Sequence, residues 1–281
     1  MTNMFSKLMG IAAGALVAIG LTAGASFAAS GYPINKPRNA EWSFAGPFGT
    51  WDQGALQRGF KVYREVCSAC HGMKLIYFRD LADLGYSEDQ IKAIAAEYEV
   101  QDGPNEDGEM FERPARAADR IPSPYSNVAE SRAANGGAYP PDLSLIAKAR
   151  APERGFPTFI FDILTMYAEN GPDYIYSLLT GYKEAPEGEE ILDGLYYNPY
   201  FVAGKALAMA NPLSDDIVDY DDGTPQTVEQ YSKDVSHFLM WAAEPGLVDR
   251  KRQGFVVLLF LLIFAGLLYF TKKKIWANVQ H

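Results

Sequence analysis

Cysteine is almost missing from this chain: 281 residues contain two, Cys67 and Cys70. With no spare cysteine to act as a staple, the fold has to be held by an apolar core rather than by a disulfide framework. Histidine is as scarce, limited to His71, His237 and His281. A structural zinc centre would need a second ligand pair beside the cysteines, and His237 and His281 stand far apart in the sequence. Positive charge is the minority, with 25 Lys and Arg against 35 Asp and Glu and a formal charge of −10. That balance argues against nucleic acid as a partner and suits a basic one. Sustained apolar–polar alternation is also lacking, so the chain predicts a mainly α fold. Stretches 100–126 and 181–226, rich in Pro, Gly, Asp and Asn, predict long loops. Long uncharged apolar runs occur in only two places, one near each end.

The first run has the form of an export signal. Lys7 supplies a positive start, residues 8–25 carry no charge, and Ser26-Phe27-Ala28 offers small residues where a signal peptidase reads. A polar, Pro-containing segment at 30–38 follows, which disfavours a permanent anchor. Cleavage after Ala28 removes residues 1–28, and the loss of Lys7 takes the charge from −10 to −11. The second run, 254–271, reads GFVVLLFLLIFAGLLYFT. As a helix it extends about 27 Å, close to the thickness of a hydrocarbon core. A buried core helix is seldom apolar on all sides over that length. Arg250 to Arg252 precede the run and Lys272 to Lys274 follow it, so flanking charge alone does not orient it. The export signal does: residues 29–249 form an exported domain, and 250–281 supply a membrane anchor with a short cytoplasmic tail.

Within the exported domain, Asp52 is placed to cap a helix beginning near Gln53. Leu56, Phe60, Tyr63, Cys67 and Cys70 then recur at three- and four-residue intervals, with Gly72 as the expected stop. Ser87 predicts the cap of a second helix with Ile91, Ile94 and Ala95 inward. Further helices are expected over 159–167, 174–179 and 228–243, the last burying Tyr231, Val235, Phe238 and Ala242.

The two cysteines belong to Cys67-Ser68-Ala69-Cys70-His71, and C-x-x-C-H is the attachment sequence of a c-type haem. Each thiol adds to one porphyrin vinyl group, and the adjoining imidazole ligates the iron. A thioredoxin-like redox pair is the rival reading, but the motif lacks a βαβ context. Attachment of this kind takes place outside the cytoplasmic membrane, in agreement with the export signal. One covalently held haem c is therefore expected. Its sixth iron ligand must come from a distant segment, and the candidates are Met73, Met110, Met166, Met209, Met240, His237 and His281. Met73 is too near His71 to reach across the ring, and His281 lies beyond the span. Met110 sits among acids, while Met240 and His237 fall on a helix, where side chains more often pack. Met209 lies in a small-residue loop, 204–212, that lets the backbone approach a flat ring, yet any methionine can also be core filler.

Over nearly its whole exported length the chain resembles the cytochrome c1 family, the haem subunit of the cytochrome bc1 complex. The matching pieces run in order: Gly59-Phe60-Lys61-Val62-Tyr63 leading into the haem motif, Arg132-Ala133-Ala134-Asn135, and Pro140-Pro141-Asp142-Leu143-Ser144. Next come YIYSLLTGY at 174–182, Asn198-Pro199-Tyr200-Phe201, Tyr220-Asp221-Asp222-Gly223-Thr224-Pro225, and Trp241-Ala242-Ala243-Glu244-Pro245 before the span. Ala210-Asn211-Pro212 departs from the consecutive prolines usual after the family's ligand methionine. The segment 152–170 is longer than in mitochondrial relatives.

The resemblance implies that Met209 is the second axial ligand opposite His71, and that Arg150 and Tyr174 contact a haem propionate. It implies that Pro141 packs near the haem edge. It further implies electron transfer from the Rieske iron–sulfur protein to a soluble or tethered cytochrome c, within ubiquinol–cytochrome c reductase. Cytochrome b is then a partner, the complex is dimeric, and the haem domain faces the periplasm from a bacterial cytoplasmic membrane. No bond-making chemistry is expected of this subunit. Seven carboxylates and no Lys or Arg occupy 97–112, with more acids at 184–193 and 215–222. Solvated loops are the plain reading of such runs; steering of a basic cytochrome c is the functional one. A stand-alone membrane cytochrome and a haem sensor with an open sixth position are the competing classes.

Overall fold

The computed structural model describes residues 34–278. The expected signal peptide and His281 lie outside them. The fold is mainly helical, organised around two helices that are far apart in sequence. Helix α1, Gln53–Glu65, begins as expected where the Asp52 carboxylate accepts a hydrogen bond from the Ala55 N–H at 3.1 Å. Leu56, Phe60, Val62 and Tyr63 are buried on its inner side. It packs along the last helix of the head domain, Val228–Ala243, where Thr227 caps through the Gln230 N–H. The crossing is set by Gly59. A Cβ there would stand 2.1 Å from the Asp234 carbonyl oxygen and 2.6 Å from Phe238 Cβ. The helices therefore meet backbone to backbone, and Phe60, Tyr63, Phe238 and Trp241 interleave around the contact. Arg58 locks the pair by bidentate hydrogen bonds to Asp234, at 2.9 and 3.1 Å.

Six further α-helices occur among the described residues. Helix α2, Glu88–Ala96, has a capping box between Ser87 and Gln90 and buries Ile91, Ile94 and Ala95, as the sequence predicts. Helices α3 and α4 span Val128–Ala134 and Ile146–Ala149, and α5 spans Thr158–Thr165. Helix α6, Asn170–Leu179, packs on the 228–243 helix, which is α7, with α4 wedged against both. The last helix, α8, runs over Leu247–Ile275, and none of its most apolar window is buried. That window has mean hydropathy 2.5, and by length and composition the helix suffices to cross a membrane. Its first turns are anchored in the head: Leu247 is buried, and the buried Lys251 ammonium donates to the Phe44 carbonyl oxygen at 2.8 Å.

Several expectations need correction. The haem motif does not occupy the last turn of α1. That helix ends at Glu65, and Cys67–Ala69 form a separate 3-10 turn. Gly72 stops no helix; a Cβ there would come within 3.2 Å of Ser123 and 3.3 Å of Asp142, so its smallness admits two neighbouring loops. The 100–126 stretch is not all loop, because Glu99–Asp102 (β1) pairs antiparallel with Phe111–Pro114 (β2). A second short pair, Tyr196–Tyr197 with Ala206–Leu207, interrupts 181–226. Strands β1 and β2 bury no residue and the second pair is only two residues long, which hid them from pattern reading. Helix α5 ends earlier than expected because Met166 turns left-handed, at φ 54°. Helix α6 begins four residues early, at Asn170, with Pro172 in the first turn, where its missing N–H costs nothing. Helix α7 buries nearly all of its circumference rather than one face, since α1, α4 and α6 surround it.

Candidate haem site

The 3-10 turn is tied down at both ends. The Cys70 and His71 N–H groups both donate to the Cys67 carbonyl oxygen, at 3.1 and 2.9 Å. Ser68 Oγ donates to the Arg64 carbonyl at 2.7 Å, and the Tyr63 hydroxyl donates to the His71 carbonyl at 3.1 Å. Both cysteines are free thiols, Cys67 half-buried and Cys70 exposed. Burial, with Cys70 beside it, pushes the Cys67 thiol up to about 12. A redox dithiol needs the opposite, a thiolate stabilised at a helix N-terminus. Here the pair follows a helix C-terminus, where the dipole opposes negative charge. The raised Cys67 thiol and this placement disfavour the thioredoxin reading. Among the described residues no cluster of three or more His, Cys, Asp or Glu could hold a metal ion, so the zinc reading gains no support.

The imidazole is oriented by the 140–144 segment. His71 Nδ1 lies 2.7 Å from the Pro141 carbonyl oxygen. A carbonyl can only accept, so Nδ1 carries the proton and Nε2 keeps its lone pair for a metal. Burial lowers the His71 pKa, partly offset by this bond and by Asp142, so the ring is neutral at neutral pH. The segment is laced to the motif's own exit. Asp142 accepts from the Lys74 N–H at 2.9 Å and from the Ser144 N–H at 3.0 Å. The Leu143 N–H donates to the Gly72 carbonyl at 2.8 Å, and Ser144 Oγ accepts from the Leu75 N–H at 3.1 Å. Beside the turn lies a cavity of about 250 Å³ whose wall includes Cys70, Gly72, Tyr125, Ser131, Tyr139 and Pro140. Ser131 Oγ is buried there with no hydrogen-bond partner among the described residues, a polar atom free for a bound group. Free thiols and a tautomer fixed by Pro141 fit a covalently attached haem.

A second group of expected site residues gathers around α6. Tyr174 is buried; burial raises its phenol pKa, while the Val202 backbone hydrogen bond and the Arg150 charge pull it part-way back. Arg150 caps the C-terminus of α4, only nine residues beyond Pro141, so α4 links the two groups. The Tyr182 hydroxyl donates to the Met209 carbonyl at 3.0 Å, fixing the loop that carries the half-buried methionine. The other candidate ligands have different fates. Met73 and Met240 are buried in the core, and Met110 is 53% exposed on the β1–β2 hairpin. Met166 closes α5. His237 packs between the rings of Trp42, Phe44 and Trp51, and burial lowers its pKa to about 4.

Sequence reasoning passed over Tyr63, Asp142 and Tyr182 as site residues, although all three fall inside the matched stretches. Their signal was weak because each works through a hydroxyl or carboxylate on backbone, not through contact with the group itself.

Comparison with known proteins agrees with this geometry. Residues 42–279 match the model of the Cytochrome C1 family. The chain is 60% identical over 248 residues to cytochrome b/c1 of Bradyrhizobium diazoefficiens, covering 87% of this chain and 36% of that longer protein. It is 48% identical to cytochrome c1 of Blastochloris viridis, over 99% of both chains. To cytochrome c1 2, heme protein, mitochondrial, of Arabidopsis thaliana it is 46% identical, over 86% of this chain and 73% of the relative. A fixed imidazole beside two free thiols, one long apolar helix and a match over most of the chain agree: the protein belongs to the cytochrome c1 family.

Proposed function

We propose that this chain is the electron-relay subunit of a ubiquinol–cytochrome c reductase, accepting electrons from a Rieske iron–sulfur protein and delivering them to a soluble or tethered cytochrome c. The observation that carries the reading is the His71–Pro141 hydrogen bond within C-x-x-C-H, which presents Nε2 as a ligand. Cys67 and Cys70 hold the haem c by thioether bonds, and His71 and Met209 ligate its iron. Arg150 and Tyr174 bind a propionate, and Pro141 packs at the edge. The haem, when bound, supplies a one-electron redox centre.

The chain's own residues set how that centre behaves. The Met209 thioether favours the ferrous state and raises the potential. Tyr182 holds the methionine loop, and Tyr63 and Asp142 hold the histidine side. Exposed acids of the β1–β2 hairpin draw in a basic acceptor. Helix α8 anchors the subunit in a bacterial cytoplasmic membrane beside cytochrome b, with the head on the periplasmic side and the complex dimeric. The joined name cytochrome b/c1 of the Bradyrhizobium relative supports cytochrome b as a neighbour.

An optical redox titration of the membrane complex tests the reading. A c-type absorbance band titrating as one electron at a high potential is expected. Carbon monoxide binding to the reduced haem would overturn Met209 ligation and favour a sensor with an open position.

A further inference from the structure

The segment 152–170 has no part in the haem site, yet it displays an unusual amount of apolar surface. Phe156 is 79% exposed, Phe161 61% and Ile163 70%, with Phe159 and Ile160 also exposed. At about 100° per residue, Phe159, Ile160, Phe161 and Ile163 point around more than half of the α5 circumference. A protein groove would cover one stripe of such a helix; apolar residues over so wide an arc suit an apolar solvent. The only charge on α5, Asp162, is paired with Arg154 at 2.9 Å, and the Arg154 guanidinium lies over the Tyr167 ring.

The position of the segment says which solvent. Met166, at the end of α5, reaches α8: a Cβ built on Gly254 would stand 3.8 Å from Met166 Cε. On the same helix Phe255 meets Phe48 with ring centroids 5.2 Å apart, and Phe48 is itself 73% exposed. Gly254 and Phe255 are the first residues of the uncharged run. The end of α5 and Phe48 thus flank α8 at the level where its apolar surface begins. Eight residues of helix extend only about 12 Å, too short to span but long enough to lie in an interface.

We propose that α5 and Phe48 form a membrane-interfacial collar, with Phe156, Phe159, Phe161, Ile163 and Phe48 resting at the headgroup–acyl boundary of the leaflet from which the head domain rises. The occupant is lipid, and the collar fixes how deeply α8 sits. The assignment rests on α8 being the membrane span.

Depth can be measured by spin labelling, because Cys67 and Cys70 are consumed by the haem. Phe161→Cys and Ile163→Cys are introduced separately into the full complex, labelled with a nitroxide and reconstituted in phosphatidylcholine vesicles. The unsubstituted complex, carried through the same labelling, sets the background from other subunits. Glu106→Cys on the exposed hairpin gives the aqueous reference, and Leu262→Cys gives the span reference. Collisions with oxygen should exceed those with a water-soluble nickel chelate at both collar positions, shifting the ratio toward that of Leu262. A ratio matching Glu106 overturns the proposal. Shielding from both reagents also overturns it, since protein then covers the helix. An aqueous ratio at Leu262 would remove the span itself, and the collar with it.

Discussion

His71 Nδ1 donates to the carbonyl oxygen of Pro141, and this contact decides which imidazole nitrogen faces a metal. The carbonyl is held in place by Asp142, whose carboxylate accepts from the backbone of Lys74 and Ser144. Asp142→Ala leaves those two donors short of partners. The expected result is a loss of about 1–3 kcal/mol in stability with haem still attached, read as a lower thermal midpoint of the detergent-solubilised holoprotein. An unchanged midpoint would show that the 140–144 loop holds its shape without the carboxylate.

Met209 makes a sharper prediction. Replacing it with a non-ligating residue, as in Met209→Ala, should lower the midpoint potential by a substantial part of the ~0.8 V that axial ligands span. Carbon monoxide should then bind the reduced haem. Tyr182→Phe, which removes only the hydroxyl on the Met209 carbonyl, should produce a smaller drop in the same direction. A potential that stays put in Met209→Ala removes this residue as ligand.

The crossing of α1 and α7 predicts a packing effect far from the haem. Gly59→Ala drives a methyl group toward the Asp234 carbonyl oxygen, which cannot move without breaking α7. A cost of about 1–3 kcal/mol or more follows, again measurable as a lower thermal midpoint. Gly246→Ala, where a Cβ meets nothing within 4 Å, serves as the tolerant control.

His237 gives a pH dependence. Its folded pKa is depressed from 6.5 to about 4 by burial among aromatic rings. The unfolded chain therefore takes up the proton first as pH falls, and stability drops through the window between those values. The contribution reaches about 2 kcal/mol by pH 5. His237→Leu should flatten the fall in thermal midpoint between pH 6.5 and 5; a variant that loses stability as steeply as the parent would place the effect elsewhere.

The acidic hairpin divides into bound and free carboxylates. Asp102 is tied to Arg113, whose hydrogen bond holds its pKa below the ordinary value. Glu106, Asp107 and Glu109 stand exposed at the tip. Electron transfer to a basic cytochrome c should slow as ionic strength rises. Reversing Glu106 and Asp107 to Lys should reduce the low-salt rate and flatten that salt dependence in stopped-flow mixing. A rate indifferent to salt would leave these acids as solvated loop.

Local rules found the parts of this molecule that are locally determined. Asp52 and Ser87 cap helices because each needs only its own next turn, and the inward faces of α1 and α2 follow from spacing. What escaped the sequence depends on particular side-chain hydrogen bonds, near or distant in the chain. The 3-10 turn at Cys67 is held by Tyr63 and by Arg64 backbone contacts that no periodicity encodes. Lys251, which reads as one of three flanking cations, is buried where a carbonyl 207 residues away accepts its hydrogen bond. The haem motif was legible at once, while the residues that hold it and the Met209 loop were not, because Asp142 and Tyr182 look like ordinary loop residues until the chain is folded.

The Lys251–Phe44 bond also has a mechanical consequence. It pins the first turns of α8 to the loop that leads into α1, so the head is mounted on its helix rather than hung from it by a swivel. A tilt of the helix in the bilayer is then passed on to the head, which resists turning about the start of α8. In the relay proposed above, the moving parts would then be the partners and not this head.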